Sequence, residues 1–157
     1  MRKYIFAILF LSSFFFQAQT TIQMQKEGGV YIVPCILNGL KLKFIFDTGA
    51  SNVSISLTEA RFLLKNGYLK NEDIVSETKF QDATGNISAG TIINIREFEF
   101  SGLILNDVKA TIVHELSAPL LLGQTAMAKL GKFQFDPNNG TLTIMDISSN
   151  TTINNEN

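Results

Sequence analysis

A mainly β, single-domain fold with two short helices is what this chain predicts, on three observations. Its apolar residues gather in short β-branched and aromatic runs, separated by turn-forming glycine, asparagine and serine. Helical patterning is confined to the stretch around Leu57 to Leu64 and to Gln124 to Leu130. The 157 residues suffice for one domain with a modest core, and no repeat or linker interrupts Gly28 to Asp146.

Residues 1–19 read as an export signal outside the fold. Arg2 and Lys3 make a basic start, Tyr4 to Phe16 an apolar run of 13, and Gln17-Ala18-Gln19 a short polar exit. Thirteen residues fall short of a bilayer. Cleavage near Ala18 or Gln19 is expected, giving a periplasmic or secreted chain without a membrane span. Residues 20–27 form a polar lead-in, flexible or pairing, and the domain is expected over residues 28–146.

Gly28-Gly29 opens a strand, Val30 to Leu37. Asn38-Gly39 is a two-residue hairpin turn, and Leu40 to Phe46 returns as the partner strand. Val53 to Ile55 is a short strand running into Ser56-Leu57-Thr58-Glu59, a capping box, so a helix follows with Leu57, Ala60, Leu63 and Leu64 on one face and a stop at Gly67. Ile74 to Gln81 and Ile87 to Ile95 flank Asp82-Ala83-Thr84-Gly85-Asn86, the polar tip of a second hairpin. Phe98 and Phe100 then alternate with Glu97 and Glu99. Ser101-Gly102 turns the chain into Leu103 to Leu105 and Val108 to Val113, and Pro119 closes that run. Leu120-Leu121-Leu122-Gly123 is an apolar strand ending at glycine, followed by the helix Gln124 to Leu130 and a stop at Gly131. Phe133 to Phe135 and Thr141 to Met145 make the last hairpin. The Ser/Asn/Thr tail, residues 147–157, has too little apolar surface to pack and is expected to be disordered.

The formal net charge is −1; losing the signal removes two of 13 basic residues and none of 14 acids, leaving 11 against 14, near −3. Without a Lys/Arg run or a basic aromatic face, that balance gives no footing for nucleic-acid or anionic-membrane binding. Cys35 is the only cysteine, which excludes an internal disulfide, and its apolar strand makes it a buried small hydrophobe. His114 is the only histidine and reads as structural or superficial. One Cys and one His supply neither a zinc site nor a Cys–His pair, and no metal or cofactor is called for.

The chemistry points to Phe44-Ile45-Phe46-Asp47-Thr48-Gly49-Ala50-Ser51, where three bulky apolar residues deliver a carboxylate to a tight turn. An acid at the end of a buried strand asks for a partner or a function. The tripeptide alone is weak, since Asp-[Ser/Thr]-Gly arises by chance in roughly one chain in a dozen of this length. Its context carries the case, the alternative being a plain surface turn.

That context resembles the retropepsin-type aspartic proteases, specifically their single-domain bacterial exported relatives. Asp47-Thr48-Gly49-Ala50 follows an apolar strand, a glycine-bearing hairpin centres on Gly85, and Leu121-Leu122-Gly123 precedes a short helix. The resemblance runs in order from about Gly29 to Met145. It implies a closed β-barrel of the acid protease type in which Asp47 is the catalytic acid and Thr48, Gly49, Ala50 and Ser51 form the active-site loop. It further implies that Ala83, Thr84 and Gly85 form a substrate-covering flap, that Leu121, Leu122 and Gly123 support the loop, and that the substrate is a polypeptide. Thr48 is implied to reach across to a partner's loop. The 76 positions from Asp47 to Gly123 are many for a minimal retroviral-type subunit, and the segment Leu57 to Asp73 accounts for the excess.

Peptide hydrolysis by carboxylates needs one acid to take a proton from water while another gives one to the carbonyl oxygen. Asp73, Asp82, Asp107, Asp136 and Asp146 all lack the Asp-[Ser/Thr]-Gly pattern, so the second acid is expected from Asp47 of another copy in a homodimer. The final hairpin is the candidate for subunit contact. Two other readings compete: a catalytically silent peptide-binding or scaffold module of the same fold, and a carbohydrate- or envelope-binding β-domain with an incidental turn.

Overall fold

The computed structural model describes residues 19–81, 84–146 and 151–153. The expected export signal, up to residue 18, and the flap residue Ala83 lie outside them. The described chain is mainly β. Its elements are β1 (Thr20–Gln23), β2 (Gln25–Glu27), β3 (Val30–Leu37), β4 (Leu40–Phe46), β5 (Val53–Ser56), α1 (Leu57–Lys65), a 3₁₀ turn (Asn71–Asp73), β6 (Ile74–Gln81), β7 (Ile87–Phe100), β8 (Leu103–Val113), β9 (Leu121–Leu122), α2 (Gln124–Leu130), β10 (Lys132–Asp136), β11 (Thr141–Asp146) and β12 (Thr151–Ile153).

Local turn chemistry sets most of these boundaries. Asn38 and Gly39 take φ of 46° and 93°, and Ser101 and Gly102 take 51° and 77°, the paired positive angles of a two-residue hairpin that matches the twist of its strands. The Ser56 hydroxyl caps α1, accepting from the N–H groups of Thr58 and Glu59 and bonding the Glu59 carboxyl. Gly67, at φ 77°, turns the chain out of that helix.

The larger sheet follows the order β12-β8-β5-β9-β4-β3-β7-β6, and β7 also pairs with β8. The strands β8, β5, β9, β4, β3 and β7 therefore form a closed ring of pairings. Phe44 and Phe98 meet inside it edge to face, ring centroids 5.2 Å apart, among fully buried Leu37, Ile55, Ile93, Ile95, Leu103 and Leu122. Burying each such side chain stabilises the fold by about 1.5–3 kcal/mol. Cys35 is buried among them as expected, and burial pushes its thiol well above the usual range.

Two expectations change, and one left open is decided. First, β8 is one strand rather than two. Its pairing with β7 skips Arg96 and Asp107 together, between Ile95↔Val108 and Glu97↔Asn106, with Asp107 at φ 54°. The register is the same on both sides of this gap, yet the buried side chains change face, from Ile93 and Ile95 to Phe98 and Phe100. Second, of the two readings left open for the polar lead-in, flexible or pairing, the pairing one holds. β1 pairs with β11 and β2 with β3, because Ile22 and Met24 alternate with polar neighbours and bury completely. Third, the tail is not wholly without structure, since Thr151–Ile153 pairs antiparallel with Leu103–Leu105. A backbone ladder on an open strand edge needs little apolar side-chain area, and Thr and Ile suit it.

The smaller sheet, β1-β11-β10, packs onto the same core. The Phe46 ring lies 6.4 Å from Phe133 and 5.3 Å from Phe135, so β10 stands directly behind the residue that precedes Asp47.

Candidate active site

The Asp47 turn is built where two distant pieces of chain cross. β4 runs parallel to β9, with Ile45 opposite Leu121 and Phe46 opposite Leu122, and β5 meets β9 antiparallel at Ser54 and Leu121. The two-residue strand β9 is thus inserted between the strand entering the turn and the strand leaving it. Ile45 N–H donates to Leu120 O at 2.8 Å and Asp47 N–H to Leu122 O at 3.2 Å, which fixes the backbone of the acid itself.

Within the turn, Gly49 N–H donates to Asp47 Oδ1 at 2.8 Å and Ala50 N–H to Asp47 O at 3.3 Å. Among the described residues nothing donates to Asp47 Oδ2, and the residue is half-buried. One carboxylate oxygen is therefore fastened and the other remains available to water or to a second acid. A Cβ on Gly49 would stand 3.2 Å from Asp47 Oδ1, a tight approach that would push on the carboxylate oxygen. Thr48 and Ser51 are exposed and Ala50 half-buried.

Leu121, Leu122 and Gly123 sit beneath the turn. Leu122 is fully buried, and a Cβ on Gly123 would fall 2.1 Å from Asn52 O and 2.7 Å from Ala50 O. The close crossing exists only because residue 123 has no side chain. The first turn of α2 completes the support. Gln124 donates through its backbone N–H to Ala50 O at 2.9 Å and through Nε2 to Thr48 O at 3.0 Å, while Thr125 Oγ1 accepts from Val53 N–H at 2.9 Å. Asn52 Nδ2 donates to Thr111 Oγ1 at 3.1 Å, tying the exit of the turn to β8. Sequence reasoning missed Gln124, Thr125, Asn52 and Thr111. The available signal was a Gln-Thr pair directly after the glycine, at a helix start where backbone and side-chain donors lack helical partners.

The β6–β7 hairpin carries Thr84 and Gly85, two of the residues expected to form a flap, both exposed, with Gly85 at φ 91°. Gln81 Nε2 donates to Gly85 O at 3.0 Å and Asn86 Nδ2 to Thr84 Oγ1 at 2.8 Å, bonds that shape the tip and do not tie it to the Asp47 turn. The hairpin's base reaches the site through β8: His114 N–H donates to Ala89 O, His114 Nε2 lies 2.9 Å from Thr91 Oγ1, and the following loop leads into β9. His114 is exposed, in keeping with a superficial role. A cavity of about 670 Å³ opens elsewhere, between the β3–β4 hairpin and the β7–β8 turn; its walls include Cys35, Lys43 and Phe100 and none of the Asp47 turn.

Comparison with known proteins agrees with this arrangement. A family model described as gag-polyprotein putative aspartyl protease matches residues 33–129, which contain the Asp47 turn, the β6–β7 hairpin and Leu121 to Gly123. Among solved structures, a retropepsin-like aspartic protease from Rickettsia conorii superposes with a TM-score of 0.59 at 18% identity, covering 80% of this chain and 98% of that one. At that identity the likeness establishes a shared fold. No curated protein matches the chain.

Proposed function

Because the chain belongs to the gag-polyprotein aspartyl protease family, we propose that it is an exported aspartic endopeptidase, active as a homodimer in which each copy supplies Asp47. The observation that carries this reading is the Asp47 turn, with Oδ1 held by Gly49 and Oδ2 without a donor among the described residues. The sequence holds no second Asp-[Ser/Thr]-Gly, so a pair of acids requires a pair of chains.

Two carboxylates about 3 Å apart repel by roughly 5 kcal/mol at an effective dielectric near 20, so such a pair holds one proton between them. The ionised member takes a proton from water as its oxygen attacks the peptide carbonyl carbon, and the protonated member gives its proton to the carbonyl oxygen. As the tetrahedral diol collapses and the C–N bond breaks, one diol hydroxyl returns its proton to the ionised member while the leaving amine takes the proton of the other, which leaves the pair with one proton again. The polypeptide lies between the paired Asp47 turns and the β6–β7 flaps, and Thr48 of each copy reaches the opposite turn. The basic start and apolar run of residues 2–16 support export to the periplasm or medium.

Asp47→Asn tests the mechanism. Cleavage of a quenched peptide library by the purified mature chain should fall by roughly 10²–10⁴-fold, while sedimentation still reports the wild-type assembly. Equal cleavage by the variant would sink the proposal. Peptide binding without cleavage by either form would move the assignment to a silent binding module of the same fold.

A further inference from the structure

The same peptide unit lies between Gln124 and the acid. The carbonyl of Thr48 accepts from Gln124 Nε2 at 3.0 Å, and the N–H of Gly49, the other end of that planar amide, donates to Asp47 Oδ1 at 2.8 Å. Because the peptide bond is rigid and trans, holding its oxygen fixes where its hydrogen points. Hydrogen bonds in series through one amide also polarise one another, strengthening each by about 10–30%. The backbone N–H of Gln124, donating to Ala50 O at 2.9 Å, anchors the same residue on the far side of the turn.

We infer that Gln124 is a positioning residue for the Asp47 carboxylate, acting through the Thr48–Gly49 peptide. The inference deepens the protease reading and rests on it for its effect on rate. The side chain of Gln124 is exposed, so its amide does not serve the core, and among the described residues its one side-chain hydrogen bond goes to the Asp47 turn. Loss of that bond frees the Thr48–Gly49 amide to rotate and loosens Asp47 Oδ1. The chemical step suffers and substrate binding does not.

Gln124→Met keeps length and packing but removes the donor, and Gln124→Glu restores a donor only when protonated. In Gln124→Met, kcat should fall by about tenfold, the worth of one hydrogen bond, with KM within about twofold. In Gln124→Glu, activity relative to wild type should rise as pH falls through the ordinary glutamate range, near ~4.3; a deficit independent of pH and equal to that of the Met variant overturns the inference. An amide readout decides the matter apart from turnover. In ¹H–¹⁵N spectra of the full chain, Gln124→Met should move the Gly49 amide proton upfield and speed its exchange, leaving Ala126 and Leu130 in place. An unchanged Gly49 amide overturns the inference whatever the activity. Should wild type cleave nothing while Gly49 responds as expected, the protease reading fails and the coupling of Gln124 to the turn stands.

Discussion

Gly123 has no room for a side chain: a Cβ there would overlap Asn52 O at 2.1 Å and press on Ala50 O at 2.7 Å. Both obstacles are backbone atoms of the segment that leaves the Asp47 turn, so neither can swing aside. Gly123→Ala should therefore cost about 3 kcal/mol, seen by calorimetry as a Tm lower by roughly 6–12 °C; a Tm within a degree of wild type would contradict the crossing. The sequence marked Gly123 only through its place after Leu121-Leu122. The reason for the glycine was not legible, because its φ is ordinary and its neighbours lie some 70 positions upstream. Gln124 escaped notice for the same cause, since a polar residue at a helix start is commonplace until Thr48 O is seen 3.0 Å away. Asp47 itself was legible, because an acid after three apolar residues is a local conflict that one sequence displays.

Among elements, the segment from α1 to the 3₁₀ turn shows the same division. Its cap at Ser56, its buried Ala60 and Leu63 and its exit at Gly67 are all local and were all read from residue order. What fastens it was not. Asp73, passed over as an acid without the motif, is buried; its Oδ2 accepts from Lys70 N–H at 2.9 Å and from Arg96 at 2.5 Å. Arg96 and Asn38 both donate to Tyr68 O, and Asn38 also pairs with the backbone of Glu97. Three remote pieces, the β3–β4 turn, the extra segment and the point in β7 where the buried face changes, thus share one polar junction. Arg96 is 40% exposed, so solvent screens the ion pair in part. A double-mutant cycle of Asp73→Asn and Arg96→Met, followed by urea unfolding, should give a coupling of about 1–2 kcal/mol. A coupling below roughly 0.3 kcal/mol would reduce the pair to a surface contact. Since Arg96 sits on β7, whose other end leads into the Gly85 hairpin, the junction also fastens the root of that hairpin to the ring.

For the whole molecule, strand boundaries were legible and ring closure was not. Asn38-Gly39 and Ser101-Gly102 announce their turns, whereas the parallel pairing of β4 with β9 and the sharing of β7 between β3 and β8 join segments with no local sign of each other. The assembly has a test of its own. If each site needs Asp47 from two chains, mixing wild type with Asp47→Asn under exchange should lower activity as the square of the wild-type fraction, to about one quarter at equal amounts; a fall to one half would mean that each chain works alone. The ends of the domain matter as well. β1 and β11 pair from Thr20↔Ile144 to Gln23↔Thr141, bridging almost the whole described chain, and the sheet they complete holds Phe133 and Phe135 behind Phe46. Contacts that close so much chain carry a large loop-closure entropy cost. The rigid backing of the acid therefore depends on the two ends of the domain finding each other, and a chain whose ends stay apart lacks it.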